Sequence, residues 1–218
     1  MSAPASRSKA ATSRPGRSRA PGENRAGGQG LVEFAMVVPV FFFLLLGMLE
    51  FGLAFTHDQT LAYATREGAR TGAALGMGNK GYPCTTADFD APIIAAVERV
   101  LDSPGSPIVM SASTIPTITI YLAKSDGTPS GSQNVWSYTK GGGPLVDGTR
   151  LDFKQGATGW SPCDRKNGSN ADSLGVSLTY TYRFQTGLGG IFRFFGGPAW
   201  SSLSMSDKTV MNLNPTAQ

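Results

Sequence analysis

The sequence predicts an α+β protein: a long amino-terminal helix able to cross a membrane, running on into a small extracytoplasmic domain with a short helix and an antiparallel β-sheet. Three observations predict it. Leu31 to Phe55 is a run of 25 residues with only two charges, Glu33 and Glu50. Thr56 to Gly76 continues it without a proline. Leu174 to Phe184 alternates strictly between apolar and mostly hydroxyl-bearing side chains, the mark of a half-buried strand.

Four stretches follow from this: a leader, 1–28; a membrane helix, 29–56; its continuation, 57–81; and an outer domain, 82–218. The leader is rich in Ser, Ala, Pro, Gly and Arg, without an apolar period, so it is expected to stay disordered. It holds six basic residues against Glu23, a net of +5. The other 190 residues carry 13 basic and 14 acidic groups. The basic balance is therefore a property of the leader. A nucleic-acid partner, which would need a basic face on the folded part, is not expected.

As a helix, 25 residues rise about 37 Å, more than the ~30 Å of a bilayer's hydrocarbon. Phe41 to Leu46 is apolar on every face, unlike the stripe of a soluble helix. Pro39 removes one backbone donor and is expected to bend the helix. The basic leader before the span and the balanced charges after it orient the amino terminus to the cytoplasm. A cleavable secretory signal would be shorter and would end in a small-x-small site, which "GLAFTH" does not supply.

Beyond the span, Ala64, Gly68, Gly72 and Gly76 recur every fourth residue. That spacing lines one helical face with small side chains and lets another helix approach closely. Glycine disfavours a helix in isolation, so the segment needs a packing partner. The helix is expected to end between Gly76 and Gly81. A second helix is predicted over Asp90 to Leu101, with Asp90 as its cap, Pro92 in its first turn, and Ile93, Val97, Val100 and Leu101 as its apolar stripe. Strands are predicted over Ile115 to Leu122, Leu174 to Phe184 and Ser202 to Leu213. Turns are expected at Asp126-Gly127, at Gly141 to Pro144 and at Asp147-Gly148.

The chemistry-bearing residues are few. Gly76 to Gly81 matches GxGxxG in letters, but it follows a helix where a dinucleotide fingerprint needs a strand. His57 is the only histidine and stands at the end of the span, as an interfacial polar residue would. No catalytic constellation, metal site or cofactor is expected, and the chain is not read as an enzyme. Cys84 and Cys163 are 79 positions apart and form no CxxC pair. In an exported domain they could form one disulfide, worth about 4–5 kcal/mol in the chain-entropy picture; the other reading is two buried thiols. Phe192, Phe194, Phe195 and Trp200 form either an exposed aromatic patch, for a neighbour or the membrane surface, or ordinary core and loop packing.

The two carboxyls in the span ask for a reason. Gly28, Glu33 and Phe34 fit the class III (type IVb, Flp/Tad-type) prepilin pattern, a glycine followed after four residues by Glu and an aromatic. The string "GQGLVEFAMVVPVFFFLLLGMLEFG" resembles TadE-like minor pilins or pseudopilins, and "ATREGARTGA" looks like that family's stretch just after the span. The resemblance implies a pilin-like fold and cleavage by a prepilin peptidase between Gly28 and Gln29. It also implies assembly through Glu33 and Phe34 with other pilins or pseudopilins and a Tad membrane platform, in a system for adhesion and secretion. Glu33 would pair with the new α-amine of an adjacent subunit, since an unpaired carboxylate costs a few kcal/mol in hydrocarbon. Glu50, about 25 Å further along the helix, is expected at the outer face. There it would reach headgroups or water, or Arg66 or Arg70 of a neighbour. The other reading of the chain is a single-pass anchored module that binds an extracellular partner without assembling.

Overall fold

A computed structural model describes residues 26–75, 85–197 and 201–213. The leader through residue 25, the expected helix end at Gly76 to Gly81, Cys84 and Trp200 lie outside the described residues. The chain divides into two compact units, Met1–Phe43 and Leu44–Gln218. Helix α1, Ala26–Leu75, contributes to both. The first unit's described part is helical throughout, with Pro39 inside the helix and not at its end. The fold class is α+β as expected.

The second unit is a five-stranded antiparallel sheet with the later part of α1, from Leu44 on, and α2 (Thr86–Leu101) against one face. Its strands are β1 (Thr117–Ala123), β2 (Pro129–Tyr138), β5 (Phe153–Thr158), β6 (Ser173–Arg183) and β7 (Ser202–Asn212), in the order β5-β2-β1-β6-β7. A separate hairpin, β3 (Leu145–Val146) with β4 (Thr149–Arg150), sits between β2 and β5 in the chain. Asp147 and Gly148 turn it, both at positive φ, as a tight hairpin of this hand requires.

Strand β6 shows why the alternation matters. Leu174, Val176, Leu178, Tyr180 and Tyr182 are all buried. Across β1 they stand beside Leu122, Ile120 and Ile118, which point to the same face. The opposite face carries Ser177, Thr179 and Thr181 on β6 and Ser204 and Ser206 on β7, and Thr179, Ser204 and Ser206 are exposed. The helices therefore cover the apolar face and leave the hydroxyl face to solvent.

The small face of α1 has its partners within this unit. A Cβ on Gly68 would lie 2.6 Å from Val97 of α2, and one on Gly72 would lie 2.9 Å from Ile93 of α2 and from Leu174 of β6. Ala64 is fully buried in the same core. A side chain at either position would force Val97, Ile93 or Leu174, or α1 itself, to shift. Gly76 lies outside the described residues.

Helix α2 starts earlier than its apolar stripe suggests. Thr85 stands at its N-cap position, and Pro92 lies well inside it. Asp90 is not its cap. Its carboxyl is fully buried, accepts from Asn134 Nδ2 at 2.6 Å, and forms a buried ion pair with Arg165. Asn134 and Arg165 take up the carboxyl, and Thr85 is left to stand at the helix start.

Glu98, also on α2, reaches the end of β5. Its carboxyl accepts the Asp152 N–H at 3.0 and 3.1 Å and the Phe153 N–H at 3.0 Å. Burial pushes this carboxyl from its ordinary 4.5 up to about 7, against the pull of those donors and with repulsion from Asp152 and Asp102. The folded chain thus binds this proton more tightly than the unfolded chain. The group's contribution is most favourable below pH 4.5 and declines as pH rises to about 7. A Glu98→Gln variant should lose that decline, and its thermal midpoints between about pH 5 and 8, set against those of the parent chain, measure it. An unchanged slope would place the titration elsewhere.

Candidate functional site

The candidate site is α1 itself: its amino-terminal turns, its apolar surface and the polar groups set into it. Among the described residues it is the one helix long and apolar enough to cross a membrane. In the first unit, Gly28, Gln29 and Gly30 are exposed, and Gln29 Nε2 donates to Glu33 Oε1 at 3.1 Å. Phe34 is exposed beside it, as are Leu31, Val32, Met36 and Val37. Glu33 thus stands on a helix whose surroundings are apolar and uncovered by the protein.

In the second unit the picture inverts. Glu50 is only 4% exposed, although its neighbours Leu49 and Phe51 are largely exposed. The Tyr182 hydroxyl donates to Glu50 Oε1. The Gln185 N–H donates to the same oxygen at 2.9 Å, and the Thr186 N–H to Oε2 at 2.8 Å. Burial and the Glu50 carboxyl hold the Tyr182 phenol well above its usual range, which keeps it a donor. The expectation that Glu50 reaches headgroups, water or a neighbour's Arg66 or Arg70 is therefore corrected. Arg70 instead pairs with Glu67 of its own helix at 2.8 Å. The carboxyl is tolerated in an apolar segment because the end of β6 and the loop after it bring three donors to it.

His57 is one more correction. It is buried, not interfacial. Nδ1 lies 2.7 Å from the Leu53 carbonyl, and the ring packs on Tyr180 at 5.6 Å and edge-on to Tyr182 at 4.8 Å. Thr65, two turns on, donates to Asp207 of β7 and shares a hydrogen bond with Thr209 at 3.0 Å. Glu50, His57, Thr65, Gly68 and Gly72 thus form a row along α1 that follows β6 from Tyr182 back to Leu174, with β7 alongside. The alternation of β6 predicted the strand. Its register against α1 had no local signal.

A second polar cluster lies beyond α2. Asn134 of β2 donates to Asp90 and, at 2.7 Å, to the Trp160 carbonyl, and its oxygen accepts the Gly159 and Trp160 N–H groups at 3.0 and 2.9 Å. The Arg165 guanidinium lies 4.6 Å over the Trp160 ring. Every contact here is internal, so the cluster fastens α2, β2 and the 159–165 loop to one another. Cys163, in the turn Pro162–Asp164, is disulfide-bonded. Among the described residues no group of three or more His, Cys, Asp or Glu could hold a metal ion.

Phe194 and Phe195 are 83% and 82% exposed, on a third helix, α3 (Leu188–Gly196). Of the two readings of the aromatic stretch, core packing fails for these two residues. It holds in part for Phe192, whose ring meets Phe184 at 5.6 Å.

Residues 28–70 match the family model of TadE-like proteins. The TadE-like segment begins at Gly28, takes in Glu33, Phe34, Glu50, His57 and Gly68, and ends inside α1. The match covers less than a quarter of the chain and falls wholly within α1. No curated protein and no solved structure matches the chain. The TadE-like segment thus coincides with the membrane-length helix and with the start of its packing on the sheet, and the strands and α3 lie beyond it.

Proposed function

We propose that the protein is a minor pilin or pseudopilin of a Tad/Flp-type pilus and secretion system, a structural subunit and not an enzyme. It is made as a precursor, inserted with its amino terminus in the cytoplasm and its outer domain across the membrane. A prepilin peptidase cuts it between Gly28 and Gln29, and α1 then packs against other pilins or pseudopilins and the Tad membrane platform, in support of adhesion. The observation that carries this reading is the TadE-like segment beginning at Gly28, with Glu33 on an exposed, otherwise apolar helical surface. The apolar surface supplies affinity through packing. The Glu33 carboxyl, paired with the α-amine of a neighbouring Gln29, supplies register, since a misplaced carboxylate in hydrocarbon costs a few kcal/mol.

Amino-terminal sequencing of protein extracted from membranes tests the cleavage. Gln29 is the expected first residue in the parent chain, and Gly28→Ala is expected to leave the leader attached. Glu33→Ala is expected to be anchored in the membrane yet missing from sheared pili. A parent chain that starts at Met1 or Ser2 would return the protein to the class of plain anchored modules.

A further inference from the structure

Among the described residues outside α1, helix α3 exposes two adjacent aromatic rings that no internal contact accounts for. Its exposed Phe194 and Phe195 rings contact each other edge to face at 5.2 Å, and Arg193 beside them is exposed too. The place of α3 is set by Glu50. The two backbone N–H groups that Glu50 binds, those of Gln185 and Thr186, come just before α3, and the Leu188 N–H closes the turn on Thr186 Oγ1 at 3.3 Å. The start of α3 is therefore tethered at the level of Glu50 along α1.

That level lies within the apolar part of α1. Leu44, Leu45, Met48, Leu49, Phe51 and Phe55 are exposed around and beyond Glu50. Phe55 stands five residues past Glu50, about 7.5 Å further along the axis. Thr56 and Asp58 then begin the polar part of the helix surface. The start of α3 is consequently held at the apolar part of α1, short of its polar turns.

We propose that α3 docks into the headgroup and upper acyl region of the outer leaflet of the bilayer that α1 crosses. This rests on the reading of α1 as a membrane span. Phe194 and Phe195 insert among acyl chains, and Arg193 reaches back to lipid phosphates. A short helix with one aromatic face and one cationic side chain has the composition for that boundary. Docking fixes the outer domain's height over the membrane at two points, α1 and α3.

Photocrosslinking of the full chain in phosphatidylcholine vesicles tests the proposal. p-Benzoylphenylalanine is placed in turn at Phe194, at Leu45 on the exposed side of α1, and at Thr179 on the exposed hydroxyl face of the sheet. The expected result is a lipid adduct from positions 194 and 45 and none from 179. Lipid adducts from 45 alone overturn the docking and leave the span standing, whether 194 gives a cross-linked pair of chains or no product. No lipid adduct from 45 removes the span and the proposal together. Equal lipid adducts from 179 would show the probe to be indiscriminate in depth and would overturn the assignment of α3 to the boundary.

Discussion

Arg165→Met is expected to destabilise the sheet-bearing unit by about 3–5 kcal/mol, the usual consequence of leaving one partner of a buried pair without its counter-charge. Both members of the pair are sealed from solvent, with side chains 1% and 0% exposed. Burial raises the Asp90 carboxyl above its ordinary value, and Arg165 and Asn134 oppose that rise. Without the guanidinium the carboxyl either stays charged in an apolar surrounding or takes up a proton, and both outcomes disfavour the fold. The loss extends beyond the pair. Arg165 also covers the Trp160 ring, and Asn134 uses Asp90 to orient the amide that holds the Gly159 and Trp160 backbone. Denaturant unfolding of the detergent-solubilised chain, followed by tryptophan fluorescence, measures the change. The double variant Arg165→Met, Asp90→Asn should recover part of it, because no charge then remains buried. A single-variant loss below about 1 kcal/mol would mean that water already reaches the pair.

Glu50→Ala is the second large effect. It removes the acceptor for the Tyr182 hydroxyl and for the Gln185 and Thr186 N–H groups in one step. Hydrogen bonds to a charged group contribute about 1.5–3 kcal/mol each, and the three share one carboxyl, so a loss of about 3 kcal/mol is expected. It should be local. The strand end and the start of α3 come away from α1, and the exposed Arg183 and Arg193 that flank the tether become faster trypsin sites. Glu50→Gln keeps one carbonyl acceptor and should lie between the two. Limited proteolysis of the full chain in vesicles reads the effect. An Ala variant cut at the parent's rate would show that the 183–193 segment is held by its apolar contacts alone.

The features legible in the sequence are those with a short period or a strong local composition. The span, its helical continuation, the second helix and strand β6 each announce themselves within about a dozen residues. The turns at Asp126-Gly127 and Asp147-Gly148 were equally legible, since each needs residues that tolerate positive φ. Strand β2 was not. Its inward positions include Asn134, a polar residue that breaks the apolar alternation because it binds Asp90 and the 159–160 backbone. Strand β5 was hidden in the same way by Gly156 and by only one apolar inward residue, Phe153. Helix α3 was hidden by Gly189 and Gly190, which weaken any local helical signal.

The sequence by itself determined that the chain has a membrane-length helix, that this helix continues into a sheet-bearing domain, and which face of β6 is apolar. Hydrophobic burial acts on each segment through its own period, so those outcomes are local. Only the tertiary structure decided what the polar groups do: Glu50 meets Tyr182 and the 185–186 backbone, Asp90 meets Asn134 and Arg165, and His57 stacks on β6. The partners of a buried polar group lie wherever the fold brings donors and acceptors within about 3 Å. For Glu50 and Asp90 they are 44 to 136 residues away, and no local pattern carries their address.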